Sequence, residues 1–150
     1  MNISNALFQF TSETVAAAAV GTALNSAQIH ADVYEEIKPG KTIRIDDLRQ
    51  ATPVLDAARK IRKDNAVINV FFIAMPATQT LTDRLEARQT AEDMADEWLL
   101  KVFDKPHLEG ADGVHRVCSV GQVSQFNDWI KPGTVKMPVC VLRLQINPRK

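Results

Sequence analysis

The chain has 150 residues, 45% of them apolar and 24% charged, and its 18 basic residues balance 18 acidic ones. This composition excludes a disordered chain and predicts one folded domain over residues 1–150, with a polar C-terminal tail from about residue 147. The balanced charge gives no reason to expect binding to nucleic acid or to a membrane. A membrane span is not expected either, because no stretch reaches roughly 18 continuous apolar residues.

The N-terminal segment, Ile3–Leu24, repeats apolar residues at helical spacing. We predict an amphipathic helix there, packed on a sheet. A second helix that begins at Thr11 is the alternative, because a hydroxyl side chain satisfies free N–H groups at a helix start. The apolar run Val15–Val20 does not indicate a signal peptide, since no Lys or Arg precedes it and Glu13 interrupts the approach. We therefore expect the protein to stay in the cytoplasm of the cell that makes it.

Two strands are expected next, over Gln28–Ile37 and Thr42–Leu48. The second alternates apolar and polar residues, and the turn signal Lys38–Lys41 joins the two. The following stretch, Arg49–Asn65, has mixed periodicity and is compatible with a loop, a short helix or the start of a strand. It is left unassigned.

The most apolar run of the chain, Ala66–Met75, is rich in β-branched and aromatic residues. This content predicts a central strand that is buried on both faces. Pro76 ends the strand. Thr80, with Asp83 three residues later, then offers a helix start that satisfies free N–H groups and suits the helix dipole.

A long helix is predicted from Leu81 to about Phe103. One side of it is charged and includes two favourable i,i+4 pairs, Arg88 with Glu92 and Glu97 with Lys101. Burial of the other side dominates its stability, because one large apolar side chain contributes roughly 1.5–3 kcal/mol. That apolar stripe consists of Leu81, Leu85, Ala91, Met94, Ala95, Trp98, Leu99 and Val102.

The C-terminal third predicts two further strands, His115–Val123 and Pro138–Ile146. A loop at Lys105–Gly113 precedes them, and a loop with strong turn chemistry at Asn127–Thr134 lies between them. The order of elements predicts an α+β fold: a mostly antiparallel sheet of about four to five strands packed against an N-terminal helix and a long central helix.

No motif for catalysis, cofactor binding or metal binding is found. The glycines form no phosphate-binding loop, and His30, His107 and His115 show neither the spacing nor the cysteine neighbours of a zinc site. His30 and Asp32 share one face of a predicted strand, but two potential ligands do not make a site, and we interpret them as a solvated polar face. We predict no catalytic residue, cofactor or metal ion, and no enzymatic activity.

The two cysteines, Cys118 and Cys140, lie in apolar-rich segments and are expected to be reduced core residues. A small enzyme with a site assembled around His30, His115 and Cys118 is an alternative function. A cellular adaptor or binding module with the same fold is another.

We predict that a basic run and a loop with an aromatic residue contact other proteins. No aromatic side chain for stacking lies within the run, and acidic residues flank it, which argues against nucleic acid. The candidate interface residues are Arg59, Lys60, Arg62, Lys63, Trp129 and Lys131.

Four parts of this layout carry a resemblance to a known family. They are the helix that begins Ile3–Phe10, the strand-like tract after it, the strand Ile68–Met75 running into the helix Leu81–Phe103, and the ending Lys136–Ile146. In these features the chain resembles the tail terminator and tail-completion proteins of the neck of long-tailed bacteriophages. The resemblance covers nearly the whole chain and concerns its layout, since the family has no short signature motif.

The resemblance implies a virion structural protein that forms a homo-oligomeric ring, usually a hexamer. Such a ring caps the completed tail tube, stops its growth and joins it to the head. The implied partners are the tail tube protein and the head-completion or neck proteins, and the implied location is the virion neck, after assembly in the host cytoplasm. Strand edges and protruding loops suit such contacts, so the candidate contact segments are Ile37–Lys41, Arg49–Asn65 and Gln125–Lys136.

Overall fold

The structure is a computed structural model that describes residues 3–30, 40–45, 50–55, 61–109, 116–131 and 135–148. These residues form two helices and seven strands. In chain order they are α1 (Ile3–Ala17), β1 (Gln28–His30), β2 (Lys41–Ile45), β3 (Gln50–Leu55), β4 (Ile61–Ala74), α2 (Leu81–Asp104), β5 (His107–Glu109), β6 (Arg116–Ile130) and β7 (Met137–Pro148).

The strands form one sheet in the order β1-β2-β4-β7-β6-β5, with β3 paired to the first half of β4. The α+β class, the N-terminal helix and the long central helix are confirmed. The sheet has seven strands, more than predicted, because β3 and β5 lie in segments that had been left unassigned or predicted as a loop. Most pairs are antiparallel, but β1 runs parallel to β2, with Gln28 opposite Thr42. The two segments therefore do not form the expected hairpin.

Strand β4 is central, as predicted. It lies between β7 on one side and β2 and β3 on the other. Its 14 residues begin at Ile61, before the predicted start at Ala66, because pairing with β3 satisfies its backbone groups there. Alternate residues face opposite sides of the sheet, so Phe72 packs in the main core with the helices and Ile73 in a second cluster with Val139.

Helix α2 begins as predicted. The Thr80 hydroxyl caps it by accepting a hydrogen bond from the Asp83 N–H. Its buried side starts at Ala87, and Leu81 and Leu85 are 64% and 48% exposed. The prediction that Leu81 and Leu85 are buried was therefore wrong. The apolar spacing includes the first two turns of the helix, which the core does not cover.

The centre of the core is Trp98, which is fully buried on α2. Its ring meets those of Phe10 and Phe72 edge to face, at centroid distances of 5.8 and 5.9 Å.

The Arg88–Glu92 pair is confirmed, with 3.3 Å between Nε and Oε1. Neither described helix is long and apolar enough to cross a membrane.

Helix α1 ends at Ala17, earlier than the predicted Leu24. Residues 18–27 form a loop with positive φ at Gly21 (91°) and Ser26 (62°), a conformation that no helix admits. Thr11 lies inside α1 and does not begin a new helix. Its hydroxyl donates to the Leu7 carbonyl one turn earlier.

Strands β6 and β7 form an antiparallel pair that runs the length of the sheet. The predicted loop at Asn127–Thr134 was wrong over its first four residues, since Asn127 lies opposite Cys140 and Ile130 opposite Met137. Pairing with the apolar strand β7 outweighs the local turn chemistry of Asn127 and Asp128.

Candidate functional site

Strand β6 has a long outer edge. Strand β5 covers only its beginning, where His107 lies opposite Ser119. From Val123 to Ile130 the strand pairs with β7 on one side, and none of the described strands pairs with the other side of β6 from Gly121 to Ile130. Of residues 121–128, all but Val123 are exposed. About 33 Å of strand edge therefore faces outward, at ~3.3 Å per residue.

This edge carries little of what normally prevents strand edges from pairing with other chains. Natural edges are protected by Lys, Pro, bulges or short length. Between Gly121 and Ile130 there is no Lys, Arg or Pro, and Asp128 is the one charged residue. A register shift lies between Val120 and Val123, at the first two residues of the edge, and the pairing with β7 is regular from Val123 to Ile130. The edge has the properties of a strand that receives another strand.

The orientation of this strand is fixed by side-chain contacts with β7 and α2. Gln125 Nε2 donates to Cys140 Sγ at 3.3 Å, and Asn127 Nδ2 donates to Glu92 Oε1 on α2 at 3.0 Å. Phe126 points to the opposite face of the sheet, where it is 44% exposed. The edge therefore presents a large aromatic side chain from a strand that is already held in place.

The turn-proximal ends of β6 and β7 form a surface that we call the hairpin end, consisting of Trp129, Lys131 and Lys136. Lys136 Nζ lies 5.2 Å from the centroid of the Trp129 ring, a cation–π contact. The Gln79 side chain accepts from the Lys136 N–H at 2.9 Å and donates to its carbonyl at 3.3 Å. This double contact fixes the hairpin end beside the start of α2. Lys131 is exposed.

Of the predicted interface residues, the structure describes Arg62, Lys63, Trp129 and Lys131. Arg59 and Lys60 lie outside the described residues. Arg62 and Lys63 belong to the first part of β4, opposite β3. Ten residues of β4, about 33 Å, separate Lys63 from Ile73, which lies at the level of the hairpin end. The two halves of the predicted interface therefore lie near opposite ends of the sheet.

A groove of about 820 Å³ opens between the C-terminal parts of the two helices. We call it the α1–α2 groove. Leu100 in its wall is 65% exposed, and Phe103 on the same helix is 62% exposed. Its lining consists of Phe10, Glu13, Thr14, Ala17, Ala18, Ala19, Thr22, Leu24, Glu97, Leu100, Lys101, Asp104 and Lys105.

One wall of the groove, the loop after α1, is held by two charged side chains. The Glu97 carboxylate accepts from the N–H groups of Ala23 (2.8 Å) and Leu24 (3.2 Å). Lys41 Nζ donates to the carbonyls of Ala23 (2.7 Å) and Asn25 (2.5 Å). Glu97 had been assigned to the solvated side of α2, and its role in holding the loop was missed. These hydrogen bonds therefore fix the position of one wall of the groove.

The residues of the alternative enzyme site are not brought together where the structure describes them. His30 is buried, at 7% exposure, so the expectation of a solvated strand face there was wrong. Across the paired strands, the residues in line with His30 end at Val141 of β7. Cys118 pairs instead with Pro148 of the same strand. These two positions are seven residues apart, or about 23 Å along the strands. His115 and Asp32 lie outside the described residues.

Cys140 is a free, fully buried thiol, as predicted. Burial raises its pKa to about 11; the hydrogen bond from Gln125 opposes this shift, and the charges of Glu92 and Asp96 add to it. A disulfide with Cys118 is excluded by register. The partner of Cys118, Pro148, lies eight residues from Cys140 along β7, or about 26 Å, and a disulfide needs Cα atoms within about 7 Å.

Within the described ranges, no three His, Cys, Asp or Glu residues are grouped so that they could hold a metal ion. The sequence matches no protein-family model and no curated protein. The described residues define three surfaces: an outward strand edge, a hairpin end fixed by Gln79 and a largely apolar groove.

Proposed function

We propose that the chain is a structural subunit of a bacteriophage tail, a terminator that forms a ring on the tail tube and joins the tail to the head. The observation that carries this proposal is the exposed, unprotected edge of β6 from Gly121 to Ile130. An edge of this length offers main-chain hydrogen bonds to a neighbouring chain. The resemblance of the chain's layout to that of the tail terminator proteins supports the same role.

A ring can form when each subunit contacts its two neighbours through two different surfaces. The β6 edge lies on one side of the sheet, whereas β1 and β3 lie on the other. A contact between the β6 edge of one subunit and a different surface of the next is heterologous, and it generates a ring when the rotation closes. The proposed hexamer is one such closed arrangement.

The association state of the purified protein tests this proposal. We expect monomers or weak oligomers of the protein alone, and rings when the tail tube protein encoded in the same genome is added. Size-exclusion chromatography with light scattering gives the mass, and negative-stain electron microscopy shows the rings. A strictly monomeric protein in both conditions would overturn the proposal, as would a chromosomal neighbourhood without tube, portal or head-completion genes.

A pair of variants tests the edge itself. Phe126→Lys places a charge on the β6 edge and should abolish ring formation, because Lys protects edges against pairing. Leu81→Lys is the matched control, since Leu81 is also large, apolar and exposed (64%) but lies on α2. Equal ring yield from both variants would show that the β6 edge is not the contact element.

A further inference from the structure

The hairpin end and the α1–α2 groove lie at opposite ends of α2. The hairpin end is fixed by Gln79 just before the first turn of the helix, and the groove is lined by Glu97 and the residues after it. Glu97 follows Leu81 by 16 positions, which is about 24 Å along the helix. Within one molecule the two surfaces therefore do not meet.

The two surfaces are complementary in chemistry. The hairpin end presents the half-buried Trp129 ring, with Lys136 over it, and the exposed Lys131. Exposed apolar and acidic side chains lie on one stripe of α2: Asp93, Asp96, Leu100, Phe103 and Asp104. Of these, Leu100 and Asp104 line the groove, together with Glu13, Glu97, Lys101 and Lys105. The exposed acidic residues of this stripe are the part of α2 that suits a basic partner.

We propose that the α1–α2 groove is the docking site for the hairpin end of a second copy of this chain. Trp129 of one copy lies against the exposed Leu100 and Phe103 of the next, and Lys131 faces the exposed Asp104. Burial of the exposed aromatic and leucine side chains stabilises the contact, and the opposite charges fix its orientation. This inference rests on the proposed ring and adds, beside the contact through the β6 edge, a second contact between neighbouring subunits.

Charge reversal on each surface gives a sharp test. Lys131→Glu places like charges together in every contact, and so does Asp104→Lys. Each variant alone should assemble at least about tenfold more weakly than the unmodified chain, because like charges across an interface oppose association. Both positions are exposed, and a lysine at the C-terminal end of α2 suits the helix dipole, so neither variant should unfold.

Mixing the two variants should restore assembly. In an alternating ring the introduced glutamate of one variant faces the introduced lysine of the other, and each unmodified Lys131 faces an unmodified Asp104, so every contact pairs opposite charges. The matched control is Glu86→Lys, which reverses an exposed charge on α2 away from the groove. Mixing Lys131→Glu with Glu86→Lys should not restore assembly. Sedimentation velocity of concentrated protein, with and without the tail tube protein, measures each mixture.

The outcomes separate this inference from the proposed function. Restoration by the groove variant and not by the control supports the docking site. Rings that form normally from either single variant would overturn the docking site and leave the ring proposal intact. An unmodified chain that stays monomeric at every concentration, with or without the tube protein, would overturn both.

Discussion

The indole N–H of Trp98 donates a hydrogen bond to the hydroxyl of Thr11 at 3.1 Å, and neither side chain is exposed to solvent. The same hydroxyl donates to the Leu7 carbonyl. One threonine therefore satisfies the polar atom of the largest core side chain and joins α1 to α2. Because both groups are buried, removal of either partner leaves the other without compensation from water.

Thr11→Val should lower the free energy of unfolding by about 1–3 kcal/mol, the cost of a buried donor left without an acceptor. Thr14→Val is the control: its hydroxyl also bonds the carbonyl one turn earlier, at Phe10, but it lies at a half-buried position. The control should lose less than about 0.5 kcal/mol. Urea denaturation followed by tryptophan fluorescence measures both, and equal losses would contradict the role of the Trp98 contact.

Glu97→Ala should free the loop after α1, because the N–H groups of Ala23 and Leu24 lose a charged acceptor. We expect a loss of roughly 1.5–3 kcal/mol in unfolding free energy, since hydrogen bonds to charged groups are the stronger class. Hydrogen exchange at these two amides should accelerate more than exchange in β4. Glu86→Ala, an exposed change on the same helix, is the control, and the loop assignment fails if it has the same effect.

Cys140 should be unreactive in the folded protein at neutral pH. Its pKa of about 11 keeps the thiol protonated, and the side chain is fully buried. Thiol titration in a Cys118→Ser background, before and after denaturation, should detect Cys140 only in the unfolded chain. Fast labelling of the folded protein at pH 7 would contradict the burial of this side chain.

The same thiol makes stability depend on pH in the alkaline range. Its folded pKa, about 11, lies above the ordinary value of 9.0. The unfolded chain therefore loses its proton first, so the stabilising contribution is complete below pH 9 and declines as the pH rises towards 11. The slope is about 1.4 kcal/mol per pH unit within that window. Cys140→Ala should remove this component, and identical pH profiles of the two proteins would refute it.

Gln79→Ala should loosen the hairpin end, because the Lys136 backbone loses both of its contacts with the Gln79 amide. A loss of about 1 kcal/mol is expected, together with faster exchange of the Lys136 amide. Gln89→Ala removes a side-chain hydrogen bond to Asp93 that is exposed on α2. This control should leave the Lys136 amide unchanged. Unaltered exchange of the Lys136 amide in Gln79→Ala would contradict the role of Gln79 in holding the hairpin end.

The sequence predicts what depends on local spacing. Helix α2 follows from a long apolar period and the capping residue Thr80, and the central position of β4 follows from its continuous apolar run. Leu81 and Leu85 were misplaced because periodicity does not show where a sheet stops covering a helix. Asn127 was assigned to a loop because its turn propensity is local, whereas its strand conformation depends on Cys140, which lies beyond the next turn.

The candidate surfaces could be predicted only as segments. The sequence separates Lys63 from Trp129 but does not give the register of β4, β7 and β6, and it is this register that places them near opposite ends of the sheet. Glu97 carries no sequence signal for its role, because its partner N–H groups lie more than 70 residues earlier, in a loop. Gln79 was missed for the same reason, since its partner is the backbone of Lys136.

The pairing of β4 with β7 sets a constraint on synthesis of the chain. Ile68 of β4 lies opposite Leu144, so the second edge of this most apolar strand is covered only when β7 is present. On the ribosome, the nascent chain presents an open hydrophobic strand for as long as it takes to translate α2, β5 and β6. The sheet around β4 is therefore complete only after β7 has been synthesised. Truncation before this strand should yield an aggregating product in place of a smaller folded domain.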